Sequence, residues 1–171
     1  MRYVALWRGI NVGKAKRLAM ADLKHVLAGL GATGVHTLLN SGNAVFDSPR
    51  RLAADRIRAA VRDALDVDAA VILKTAAEWA AIAAPHGIDQ ADDPSRLLVA
   101  VTADAPSLQA VNALAVQGEE RWVVTPHAAY LWCAHGILQS KTAVALLKQL
   151  GDRGTTRNWA TVQKLQALLA G

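Results

Sequence analysis

Residues Met1–Trp7 read Met-Arg-Tyr-Val-Ala-Leu-Trp, apolar at almost every position until Arg8-Gly9 interrupts them. Tyr3, Ala5 and Trp7 fall on one side of an extended chain, Val4 and Leu6 on the other. A strand with no polar face must be covered on both sides, and that excludes any fold in which the first strand lies on a half-wet sheet. The chain of 171 residues, 53% of them hydrophobic, has room for one domain or for two small halves with a substantial interior.

The order of elements narrows the choice further. After the strand Arg2–Arg8 comes a glycine-bearing loop, then a helix from Met20 with Leu23, Val26, Leu27 and Leu30 at helical spacing. Val35–Asn40 and Ala44–Asp47 flank Ser41-Gly42-Asn43 as a tight hairpin. Ser48 caps a helix opened by Pro49 and burying Leu52, Ile57, Val61 and Leu65, and Ala69–Lys74 returns as a strand. This is the βαββαβ order of a ferredoxin-like unit.

A short helix over 76–84 leads to the stretch Asp89–Ser95, whose Asp92, Asp93 and Pro94 mark a linker. A second cycle then begins. Leu97–Val101 is a strand, and Pro106 opens a helix. Arg121–Thr125 and Tyr130–Ala134 form a hairpin across Pro126-His127. Ser140 caps a helix over Lys141–Leu150 that buries Val144, Leu147 and Leu150. A turn over Gly151–Gly154 precedes a last helix, capped by Thr155 or Thr156 and burying Trp159, Val162, Leu165 and Leu169. The expected architecture is α+β, with two ferredoxin-like, βαββα-type halves on antiparallel or mixed sheets. The N-terminal half spans 1–88, the C-terminal half 96–171, and 89–95 links them.

The formal net charge is +5, unevenly spread. Residues 1–51 carry eight Lys or Arg against Asp22 and Asp47, residues 52–120 five against eleven Asp or Glu, and residues 121–171 six against Asp152. If the basic ends meet, they create a positive field for phosphate or carboxylate. No apolar run is long enough for a membrane span, so no membrane partner is expected. Cys133 is alone, which excludes an internal disulfide and fits a reducing cytoplasm.

Three polar, basic segments are candidates for a site. Gly9–Arg17 carries Lys14, Lys16 and Arg17, but only three residues separate Gly9 from Gly13 and Ala15 follows Lys14, so it is no nucleotide-triphosphate loop. It can still form a generic anion cradle in front of the Met20 helix. Ser41-Gly42-Asn43 lacks the Gly-x-Ser-x-Gly elbow of a hydrolase nucleophile, leaving Ser41 and Asn43 as turn formers or hydrogen-bonding contacts. In the third segment Thr156 is a helix cap and Arg157 lies in the first helical turn, with Thr161 and Lys164 on the same face. Cys133 and His135 share one side of a continuing strand, yet Leu131, Trp132 and Ala134 surround the thiol and mark it as core. The histidines show no metal-ligand spacing, so no metal and no cofactor are expected.

These segments carry a resemblance. Leu6-Trp7-Arg8-Gly9-Ile10-Asn11-Val12-Gly13, Ser41-Gly42-Asn43-Ala44-Val45-Phe46 and Thr156-Arg157-Asn158-Trp159-Ala160-Thr161-Val162 resemble, in this order, the bacterial family called domain of unknown function 1697. The resemblance implies a cytoplasmic α/β protein with two ferredoxin-like halves and no established activity. This chain departs from the family at Ala160, where Asn often stands.

The expected function is the binding of a phosphate- or carboxylate-bearing ligand through Arg8, Asn11, Lys14, Ser41, Asn43, Thr156, Arg157 and Asn158. Arg8 and Arg157 would then share one site. A basic groove for nucleic acid is one alternative, though the strand aromatics of an RRM are missing. A non-catalytic scaffold or oligomerisation module is another. An enzyme acting on a phosphorylated or carboxylated small molecule would need an acid–base pair at informative spacing, and none is visible.

Overall fold

The computed structural model describes residues 1–171, which divide into two compact units: Met1–Trp79 with Ala167–Gly171, and Ala80–Gln166. The presumed linker Asp89–Ser95 lies within the second unit.

In the first unit β1 (Arg2–Trp7) is followed by α1 (Met20–Gly29), β2 (Thr33–Thr37), β3 (Asn43–Asp47), α2 (Ala54–Leu65) and β4 (Val71–Thr75). The sheet order is β2-β3-β1-β4, with every neighbouring pair antiparallel. β1 is therefore interior, hydrogen-bonded on both edges, as its apolar composition requires. Tyr3, Ala5 and Trp7 pack with Phe46 beneath α1 and α2, which supply Leu23, Leu27, Ile57 and Val61. Val4 and Leu6, on the opposite face, are buried as well. Burial of such side chains contributes about 1.5–3 kcal/mol each relative to exposure, enough to commit β1 to the centre. α2 ends at Asp66 in the left-handed conformation (φ 56°), a geometry that Asp tolerates better than most residues.

The second unit repeats the plan: β5 (Leu97–Thr102), α4 (Ala105–Gln109), β6 (Arg121–Val124), β7 (Ala129–Trp132), α5 (Lys141–Leu150), β8 (Gly154–Asn158), then α6 (Trp159–Ala170), whose last turn from Ala167 belongs to the first unit. Its order, β6-β7-β5-β8, is that of the first sheet, and all its pairs are antiparallel. Two four-stranded antiparallel sheets with helices make the fold α+β, with a ferredoxin-like topology in each half. α3 (Ala76–Ile82) follows β4 as α6 follows β8, which completes the repeat.

Three expectations are corrected. Residues 154–158 form strand β8 rather than a turn and helix start, so Thr156 caps nothing and Arg157 is not in a helical turn. The helix begins at Trp159, and its cap is Asn158, whose Oδ1 accepts from the Thr161 N–H at 2.9 Å. The run Gly-Thr-Thr-Arg-Asn has no apolar alternation; it becomes a strand because β5 offers a free edge, with Val99 opposite Arg157 and Val101 opposite Thr155. α5 is turned from its expected phase, burying Thr142, Ala143, Leu146 and Leu150 while Val144 is 68% exposed. Finally, α2 starts at Ala54, not Pro49, because the Ser48 hydroxyl bonds back to Arg50 in a local turn.

Candidate functional site

The connection from β1 to α1, Arg8–Ala19, is the longest departure from regular structure in the first unit. It folds on itself as a miniature hairpin. The Asn11 N–H donates to Lys16 O at 3.0 Å, Val12 bridges Ala15, and Gly13-Lys14 form the tip. Gly9, Asn11, Gly13 and Lys16 all have positive φ, which is why the stretch is rich in Gly and Asn.

Asn11 is the staple of this loop. Its Nδ2 donates to Leu18 O at 2.8 Å and to Asn40 O at 2.7 Å, and its Oδ1 accepts from the Leu18 N–H at 2.7 Å. One side chain thus closes the loop and ties it to the β2–β3 turn. That turn is locked from its other side. The Trp7 N–H donates to Gly42 O at 2.9 Å, and a Cβ on Gly42 (φ +91°) would lie 2.6 Å from Ile10 Cδ1 and 2.9 Å from Trp7 Cβ. Asn43, fully buried, donates to Leu38 O and to the Ser41 hydroxyl. The first two candidate segments therefore form one preorganised structure, and the amides of Asn11 and Asn43 hold it together.

Lys14, Lys16 and Arg17 remain on the outside, all exposed. None of the ion pairs in the protein involves them. Arg17 Nη1 reaches the carbonyls of Asn11 and Gly13 at 3.3 Å, which aligns its guanidinium along the loop. Arg8 is half-buried at the base, where its N–H donates to Ala70 O. The field extends toward α2: Asp68 is held below the usual aspartate range, first by its bond to Arg58, with Arg62 and Lys16 adding to the effect. Ser41 is exposed beside the loop.

The third segment belongs to the second unit. Arg157 is buried in β8, where Nη1 donates to Thr155 Oγ1 at 3.0 Å and to Thr156 O at 2.8 Å. Burial pulls its guanidinium down to about 10, so it stays charged at neutral pH. Asn158 is occupied as a helix cap. Trp159 meets His86 edge-on at 5.0 Å and Tyr130 at 6.1 Å, and it is half-buried rather than buried as expected.

The second unit also holds a cavity of about 400 Å3 at the open end of the β6–β7 hairpin, lined by Glu119, Glu120, Cys133, His135, Ser140 and Lys141 among others. Ser140 and Thr142 each donate to the Glu120 carboxylate at 2.5 Å, and Ser140 Oγ also accepts from Ala143 N–H as the cap of α5. Cys133 is buried, which disfavours the reactive thiolate. β7 ends at Trp132, so Cys133 and His135 do not continue a strand, and burial raises the thiol to about 11. His135 faces Glu119 instead, at 3.9 Å. No group of three or more His, Cys, Asp or Glu side chains is placed to hold a metal ion.

Two four-stranded antiparallel sheets and a stapled basic loop define a class of protein by architecture rather than by chemistry. Residues 1–130 match the family described as protein of unknown function (DUF1697), and the chain belongs to that family. The Thr156–Val162 motif lies outside the matched span. No curated protein matches the chain. Among solved structures, the conserved bacterial protein SP0830 from Streptococcus pneumoniae is similar over 98% of each chain, with a TM-score of 0.70 and 19% sequence identity. That likeness speaks for the fold alone.

Sequence reasoning saw the three cations of the first loop, but it gave Lys14 a place in the site and omitted Lys16 and Arg17. Clustering of like charge was the signal for both. It also gave no role to two exposed aliphatics in the same loops, Val12 and Leu39.

Proposed function

We propose that the protein binds a phosphate- or carboxylate-bearing ligand at the loop pair 8–18 and 38–43, with Lys14, Lys16 and Arg17 supplying charge, Arg8 at the base and Ser41 at the rim. One observation carries the reading: three exposed cations, none of them in an ion pair, stand on a loop whose shape is set in advance by Asn11. Preorganised positive groups lose little freedom when an anion arrives. Asn11 and Asn43 serve this site by positioning, since their amides are engaged with backbone carbonyls. The reading is of a cytoplasmic protein, in keeping with a single thiol that has no cysteine to pair with.

The test uses inorganic phosphate and pyrophosphate as probes, followed by backbone amide NMR at low salt. Pyrophosphate is expected to shift the amides of Gly13–Arg17 and Ser41. Replacing Lys14, Lys16 and Arg17 together by Gln should weaken the response by about tenfold or more, since each lost charge removes an attraction of the order of 1 kcal/mol at a surface. Replacing Lys141 and Lys148 in the second unit should change nothing. If those loop amides do not move, the reading is wrong.

A further inference from the structure

The same two loops carry a feature that a site for a dissolved anion does not need. Val12, beside the Gly13-Lys14 tip, is 71% exposed, and Leu39, in the β2–β3 turn, is 52% exposed. Leu39 sits at φ 61°, a conformation that costs an L-residue with a Cβ free energy and that Asn or Gly would adopt readily. An exposed leucine held in a strained turn loses twice, in backbone energy and in unburied apolar surface. Such strain points to use of the side chain. The two turns are not independent, because Asn11 Nδ2 reaches from the first to Asn40 O in the second. Val12 and Leu39 each stand one residue from an end of that bond, in the loop pair that also carries Lys14, Lys16 and Arg17.

Resting on the anion-binding reading above, we propose that the phosphates this loop pair meets are those of an anionic lipid surface, onto which the loops dock with Val12 and Leu39 entering the headgroup layer. Basic residues near such a surface are drawn to its negative potential, while neighbouring apolar side chains leave water for the interface. Nucleic acid fits less well: single-stranded bases are held by stacking on planar side chains, and neither loop presents an exposed aromatic. No helix of the protein is long and apolar enough to cross a membrane. That argues against spanning a bilayer, not against lying on one.

The experiment is co-sedimentation of the full chain with vesicles of phosphatidylcholine alone and of phosphatidylcholine mixed with phosphatidylglycerol. It is paired with the pyrophosphate NMR titration and with binding of a single-stranded oligonucleotide. The expected result is retention on the anionic vesicles only, lost at high salt. The double variant Val12→Asn, Leu39→Asn should lower vesicle binding by about tenfold while leaving the pyrophosphate shifts unchanged, since it removes apolar area and no charge. Asn is at home at φ 61°, so Leu39→Asn is not expected to weaken the fold. Vesicle binding unaffected by the double variant overturns the proposal. So does tighter binding to the oligonucleotide than to the anionic vesicles. Absence of vesicle binding with the pyrophosphate shifts intact removes the lipid surface alone, whereas absence of both removes the anion site with it.

Discussion

The two sheets have the same strand order, yet the connection between their first strand and first helix could hardly differ more. In the first unit it runs from Arg8 to Ala19, doubles back through an Asn11-stapled hairpin and ends at an α1 with no side-chain cap. In the second unit only Ala103 and Asp104 lie between β5 and α4, and Asp104 caps the helix through Ser107 N–H. The hairpin turns differ likewise. Leu38–Gly42 is tied into the first connection, while Thr125–Ala128 closes on itself through the Thr125 hydroxyl and the Ala128 carbonyl. A scaffold used twice keeps one copy plain and elaborates a loop on the other. That elaborated loop is where a binding function is to be sought, because the sheet already specifies the fold without it.

The largest expected effect that would break this contrast is at Gly42. Its φ of +91° is positive, as is that of Gly118 in the second unit (+57°), but Gly118 has nothing within 4 Å of where a Cβ would stand. Both Ala substitutions place a Cβ at positive φ, a strain of roughly 1–2 kcal/mol. Gly42→Ala adds overpacking against Trp7 and Ile10, so its total should be roughly 3–4 kcal/mol. Chemical denaturation of the two variants measures the difference. Equal losses would mean that the loop pair is not packed as tightly as its geometry indicates.

Next in size is Asn11→Ala. It removes two donated bonds and one accepted bond and places Ala in the left-handed region, a loss of about 2–3 kcal/mol if the loop is as cooperative as its hydrogen bonding suggests. Hydrogen exchange sharpens the reading, because the Leu18 amide bonds to Asn11 Oδ1 and should exchange faster in the variant. The amides of β5 and β7 should keep their wild-type rates. Unchanged protection at Leu18 would deny Asn11 its role as the staple.

Much of the architecture was legible in the chain itself, and for definite reasons. β1 announced itself because both of its faces are apolar, and Ser140 marked the start of α5 because the Oγ-to-amide bond it forms is local. β8 was hidden because its cause is not local: Gly154–Asn158 is a strand only in the presence of β5. The same distance effect concealed the phase of α5, since Val144 and Leu147 satisfy helical spacing as well as Ala143, Leu146 and Leu150 do. Only the sheet decides between them. In the candidate site, the basic residues were readable as a charge cluster. The staple was not, because nothing in Asn11-Val12-Gly13 says that an amide will reach Asn40.

The smallest expected effect tests the plain connection. Asp104 is held down to about 2, first by the side chain of Ser107, then by the Ser107 N–H and by the Arg153 guanidinium. A carboxylate whose folded value lies below its unfolded one, about 3.9, stabilises the folded state above the unfolded value. That contribution fades as pH falls through about 4 and is gone once the folded group protonates near 2. Asp104→Asn keeps a capping oxygen for the Ser107 amide but has no proton to gain, so its stability should fall less steeply than that of the wild type over the same acid range. The group is at the surface, so the difference should be modest and should shrink with added salt. Thermal unfolding at pH 5, 4, 3 and about 2.5, at two ionic strengths, measures it. Parallel pH profiles for wild type and variant would show that the short connection is fixed by its backbone alone, and that the Asp104 charge has no consequence for the molecule.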